Sequence, residues 1–229
     1  MSILTRLQIE IDRAVNFCKY PAIVLSILSV KPLLQTYVRF WEVRRQLNAS
    51  SLLYFAIGAA GIFALWIFAR VRRGTLGTLE HELTHAVFAW LTLHWVRSVE
   101  VDDSGSGRMF FGGKGNWLIA LAPYFFPLAA MSMLIFAVAF EHVTQQALPE
   151  WVLMSLGAAV AYNLCSFWEQ LHPQQTDFVV AGWVTTFCFL PAANLFTFGL
   201  ILSYAAAGGR GVFGFFKFFR YYALKMFSP

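Results

Sequence analysis

Two histidines and a glutamate sit within one helical turn of each other in His81-Glu82-Leu83-Thr84-His85, an H-E-x-x-H pattern. On a helix the two histidines are about 40° apart around the axis and one turn apart along it, so both imidazoles can reach one zinc ion. Glu82 projects beside them, placed to handle the proton of a water that the metal activates. Glu80 precedes the motif and the apolar run Ala86-Val87-Phe88-Ala89-Trp90-Leu91 follows it. Isolated matches to this pattern arise by chance. Two histidines and two acids in a segment this apolar are different, because each is costly in lipid unless used or shielded.

The surrounding elements must hold such a site in a bilayer. The chain has 229 residues, of which 59% are hydrophobic and only 13% charged, with mean hydropathy +0.60. A soluble domain carries about a quarter charged residues. The composition therefore implies a multi-pass integral membrane protein, of the cell membrane by expectation. The net charge of +5 serves orientation and anionic headgroups, and no basic, aromatic-interleaved nucleic-acid motif competes with that use. Cys18, Cys165 and Cys188 show no C-x-x-C spacing and read as buried thiols.

The expected fold is all-α and polytopic, about four to six transmembrane helices with a small β-hairpin between the motif helix and the next span. Three regions follow along the chain. Residues 1–50 read as an N-terminal amphipathic and interfacial region, with early acids Glu10 and Asp12 arguing against a signal peptide. Pro21 to Leu34, holding Lys31-Pro32, suits an interfacial or re-entrant piece better than a full span. Residues 51–207 read as the membrane-embedded domain, with spans over 52–69, 76–95, 117–140, 151–168 and 178–207. Pro123 and Pro127 mark a kink, and Pro191 is a candidate divider. Residues 208–229 form a basic aromatic tail.

Between the motif helix and the 117–140 span, Val96, Val99 and Val101 alternate with polar residues, and 102–107 is dense in turn formers. This predicts the hairpin, whose edge could pair with an extended substrate by strand addition. Counting at 1.5 Å per residue puts the two histidines roughly 8 to 15 Å in from the start of their helix, below the membrane surface.

A catalytic zinc needs a third protein ligand and an open position. Leu91 stands where a metzincin would carry its third histidine, which excludes that layout. Glu100 reads as a solvated hairpin charge and Glu141 as a helix-end charge; Glu169 is a further candidate. Asp177 fits best, since it starts an apolar helix after a proline-containing break, and irregular backbone within a membrane is tolerated only beside a polar cavity. His172 is its closest rival. In either case the 169–177 break must dip into the bilayer.

His81-Glu82-Leu83-Thr84-His85, then Ala161-Tyr162-Asn163-Leu164, then Pro173 with Thr176-Asp177, resemble the site-2 protease family of intramembrane zinc metalloproteases. The resemblance spans roughly residues 75 to 185 and has no PDZ-like insertion. It implies zinc on His81, His85 and Asp177, with Glu82 as general base. It also implies that Asn163 holds substrate, and that Gly112-Gly113-Lys114-Gly115-Asn116 is the family's G-x-x-x-N element, giving Gly112 and Asn116 substrate-side roles. Thr84 and Phe178 stand where the family pattern has glycine. The expected activity is hydrolysis of a peptide bond in or near a transmembrane segment of a membrane-protein substrate. The alternatives are an inactive protease-like scaffold or regulatory subunit, and a transporter; the clustering of the charges at one point disfavours the last.

Overall fold

A computed structural model of the chain describes residues 3–43, 48–68, 75–102, 105–170 and 175–228. In chain order its elements are α1 (Ile3–Glu42), α2 (Ala49–Phe68), α3 (Thr75–Leu91), β1 (Val96–Val101) and β2 (Gly107–Phe111). They continue with α4 (Trp117–Leu121), α5 (Leu128–Thr144), α6 (Glu150–Gln170), α7 (Thr176–Ala181) and α8 (Trp183–Lys225). Four of the described helices, α1, α2, α6 and α8, are long and apolar enough to cross a membrane, and α4 with α5 makes a bent apolar pair, a broken span or a re-entrant loop. Their outer faces are apolar: Leu53, Ile57, Leu65 and Ile67 of α2 are all exposed. The chain is a multi-pass integral membrane protein with one antiparallel hairpin, β1 paired to β2.

Pro21 to Leu34, expected as an interfacial or re-entrant piece, is part of one continuous helix, because α1 runs for 40 residues with Pro21 and Pro32 inside it. Tertiary packing overrides the local signal. α1 runs along α8, burying Leu33 against Ala192 and Phe215, and the Tyr37 hydroxyl donates to the Leu195 carbonyl at 2.7 Å. Lys31 stays exposed, its long stem carrying the charge outward. Pro191 likewise lies within α8, whose interruption comes instead at Ala207 and Gly208. There the chain doubles back, so that Phe215 and Phe219 lie against Phe196.

The opposite side of the bundle is α2 against α6. A Cβ on Gly58 would overlap the Met154 carbonyl, and one on Gly157 would overlap that of Phe55. The two backbones therefore touch, as small residues allow between membrane helices. This pair frames the space into which α3 projects.

Three local features then fix the site's elements. α3 stops at Leu91, short of the expected 95: the chain turns through Leu93 (φ 58°), and the His94 amide donates to the Ala89 carbonyl at 2.7 Å. The kink at Pro123 and Pro127 is a full break. A 3₁₀ turn over Ala122–Tyr124 separates α4 from α5, and the two arms differ in direction by 79°. Neither proline has an N–H to continue the ladder. Finally α7 ends at Gly182 (φ 86°) and leads directly into α8. All three cysteines are free, Cys165 buried as expected but Cys18 exposed.

Candidate metal centre

α3 presents His81 and His85 on one face, with ring centroids 4.8 Å apart. The His85 Nδ1 lies 2.7 Å from the Ile119 carbonyl oxygen. This assigns the proton to Nδ1, which donates, and leaves Nε2 with a free lone pair. The Ile119 carbonyl also accepts the Ala122 amide at the end of α4. Its i+4 partner would be residue 123, a proline without an N–H, so the second lone pair is left for His85. The α4 break thus places an acceptor that orients His85 on α3.

Asp177 enters from the first turn of α7. Its Oδ2 is 3.4 Å from the His81 Nε2 and 3.5 Å from the His85 Nε2, and the two Nε2 atoms are 3.1 Å apart. Zinc with ligands at about 2.0–2.1 Å in a tetrahedron separates them by about 3.3 Å along each edge. Two imidazole nitrogens and one carboxylate oxygen at these separations fit one face of such a tetrahedron, with the fourth corner left to water or substrate. Among the described residues this trio is the group of metal-ligating side chains whose donor atoms converge. The Tyr124 hydroxyl donates to the same Oδ2 at 2.9 Å, and its ring meets His81 edge-on. That contact holds the carboxylate in place, as outer partners of ligands do.

The rival ligands lie elsewhere. Glu100 accepts from the Ser98 hydroxyl on the hairpin, Glu141 from the Tyr204 hydroxyl, and Glu169 from the Trp66 indole. His172 is outside the described residues, as are the basic ends Arg44, Arg45, Arg70, Arg72 and Arg73 of the neighbouring connections.

Glu82 is buried, with 8% of its surface exposed, and its carboxylate accepts from the Met109 amide of β2. The hairpin can come this close because position 107 is glycine: a Cβ there would overlap Thr78 and crowd the Glu82 side chain. The Thr78 hydroxyl secures the hairpin turn by donating to the Gly105 carbonyl at 2.9 Å. A cavity of about 680 Å³ opens beside this arrangement, between α2, α3, α6 and the hairpin turn. His81 and Glu82 are in its wall, with Ile62, Trp66 and Tyr162 facing them. One edge of the motif is thus presented to the groove.

The three residues carried by resemblance are distributed differently. Asn163 lines a smaller cavity beside His81, together with Glu80 and Thr84. Gly112 donates its amide to the Trp95 carbonyl and closes the strand ladder. Asn116 is buried, its Oδ1 accepting from the Ile119 amide as the N-cap of α4 while its Nδ2 donates to Asp12. Neither Gly112 nor Asn116 lines a cavity at the site. Four contributors lie outside the motifs: Tyr124, the Ile119 carbonyl, Gly107, and Glu80, whose carboxylate accepts the Ala129 amide at the start of α5. The prolines at 123 and 127 are the trace of the Ile119 carbonyl and of the open α5 end, while Glu80 stands directly before the motif and Gly107 in the turn-forming run.

A family model described as Peptidase M50B-like matches residues 54–190, more than half of the chain, from α2 into α8 and across all three converging side chains. No curated protein and no solved structure matches the chain.

Proposed function

The chain belongs to the Peptidase M50B-like family, and from that premise we propose that it is a zinc-dependent intramembrane endopeptidase of the site-2 type. Its substrate would be a membrane protein, cut in or near a transmembrane segment. The observation that carries the reading is the convergence of His81, His85 and Asp177 with Glu82 in the wall of the same groove.

His81, His85 and Asp177 would hold the metal. Bound zinc supplies a Lewis acid that polarises the scissile carbonyl and acidifies water at neutral pH. Glu82 takes the proton of the attacking water at its carboxylate and hands it to the departing amine. Burial and the Met109 amide keep that carboxylate aimed at the groove. The His85 Nδ1–H bond to Ile119 and the Tyr124 bond to Asp177 hold the ligands rigid, so that little reorganisation accompanies the reaction. The groove's apolar side, Ile62 and Leu65, suits a transmembrane segment, and its hairpin side, Gly105 to Gly107, receives the chain once it is unwound.

Glu82→Gln is the direct test. The amide preserves shape and leaves all three ligands, so purified variant should keep one zinc per chain. Cleavage of a membrane-protein substrate should fall by about two to four orders of magnitude. Unchanged cleavage would sink the mechanism. Wild-type protein without stoichiometric zinc would point instead to an inactive scaffold.

A further inference from the structure

Tyr162 of α6 carries the one buried side-chain polar atom among the described residues that has no hydrogen-bond partner. Folded proteins seldom leave such a hydroxyl unpaired, and where they do the group often awaits a ligand. The Tyr162 side chain lines the groove that holds His81 and Glu82, with its buried hydroxyl beside Gly77. Its neighbours are committed elsewhere. The Gln170 amide donates both to the Ser166 hydroxyl and to the Gly77 carbonyl, knitting α6 to α3 around it.

Its position relative to the metal centre follows from Gly77. A Cβ there would stand 3.4 Å from the Tyr162 hydroxyl and only 2.7 Å from the Ser166 hydroxyl, so glycine keeps this stretch of wall open. Gly77 precedes His81 by one turn on the same face of α3, about 6 Å along the axis. An extended peptide advances about 3.3 Å per residue. Measured along α3, the hydroxyl thus lies near the level of Gly77, roughly two residues of an extended peptide from the level of His81.

A transmembrane segment arrives as a helix with every carbonyl paired. Unwinding it for cleavage strips those pairs where little water can replace them. We propose that the Tyr162 hydroxyl donates a hydrogen bond to a backbone carbonyl of the bound peptide, about two residues from the scissile bond, and so stabilises the unwound segment. The inference rests on the protease reading above. Tyr162 binds substrate; it takes no part in proton transfer.

The test separates the two readings by using inhibitors in place of turnover. Zinc-loaded protein in detergent micelles is titrated with acetohydroxamate, which engages the metal alone. It is then titrated with trileucyl hydroxamates bearing the metal-binding group at either the C- or the N-terminal end of the peptide. In Tyr162→Phe, one trileucyl probe should bind about tenfold more weakly, while acetohydroxamate affinity, zinc content and thermal midpoint stay as in wild type. Reducing the second carbonyl of that probe to a methylene should cost the same factor against wild type and nothing against the variant. Equal affinity of both trileucyl probes for the two proteins overturns the inference and leaves the protease reading intact. So does a loss shared by acetohydroxamate or by the thermal midpoint, which would make Tyr162 structural. Wild-type protein that holds no zinc and binds no hydroxamate overturns both.

Discussion

His94 meets Asp12 at 3.2 Å and His81 meets Asp177 at 3.4 Å, two histidine–aspartate contacts of nearly the same length in one apolar bundle. Their surroundings differ in kind. The Asp12 Oδ2 also accepts from the Gly115 amide, and its Oδ1 accepts from the Asn116 side chain. The other His94 nitrogen faces the Thr92 hydroxyl at 3.1 Å, and the ring is fully buried. Each strong acceptor there has its donor. The cluster ties α1 to the corner where α3 turns into the hairpin, assisted by Gln8 donating to the Leu93 carbonyl. At the second contact, two imidazole nitrogens and a carboxylate oxygen converge, with the Tyr124 hydroxyl donating to the carboxylate. Deprotonated together they would repel one another unless a proton or a metal cation lay between them. Distance therefore does not separate a latch from a candidate metal centre. The balance of donors and acceptors does, and so does the groove, which reaches His81 but not His94.

Exchanging the aspartates in turn should split the two clusters cleanly. The largest effect is expected at Asp177→Ala. With only two histidines left, zinc should fall from one per chain to substoichiometric after dialysis against a weak chelator, and cleavage should vanish with it. The bundle should persist, because among the described residues the Asp177 side chain meets His81, His85 and Tyr124. Stoichiometric zinc in that variant would place the metal elsewhere. Asp12→Ala should do the reverse, at a smaller energy. Removing one partner strands buried His94 and Asn116, at a cost of about 3 kcal/mol, read as a lower midpoint in denaturant or heat. Zinc content should not change. A loss of zinc in parallel with the loss of stability would mean that the latch and the centre are one unit.

The two clusters were unequally legible in the sequence. His81 and His85 announce themselves because a helix converts spacing of four residues into proximity. Asp177 could be reached by argument, since an acid after a broken helix in apolar sequence needs a reason to be there. Asp12 and His94 are 82 residues apart with no shared spacing, so their contact exists only once α1 lies across the corner after α3. The same holds for α1 itself. Pro21, Lys31 and Pro32 all argue locally for a break, and the continuous groove offered by α8 outweighs them. Asn116 carries a further part that the sequence did not announce. Its glycine-rich approach suggests a substrate element, and its two hydrogen bonds make it a helix cap and a member of the Asp12 cluster. Motif spacing is informative within one helix and weak across a fold that brings distant segments together.

Tyr124→Phe probes the candidate centre most finely, because it removes the hydroxyl that donates to Asp177 and leaves the three converging side chains in place. The hydroxyl bonds to the oxygen of Asp177 that faces both histidines, while the ring packs on His81 and Phe178. Phenylalanine keeps the packing and frees the carboxylate to rotate. Zinc affinity should fall about tenfold to a hundredfold, or ~1.4–2.7 kcal/mol, by competition with a chelator of known strength. Cleavage at saturating zinc should fall less. The equivalent single-bond loss in the latch, by contrast, would leave zinc affinity untouched. If Tyr124→Phe binds zinc as wild type does, Asp177 is held by its helix alone. The centre would then owe its geometry to the α7 turn and Gly182, with the broken α4 segment serving only to orient His85 through Ile119.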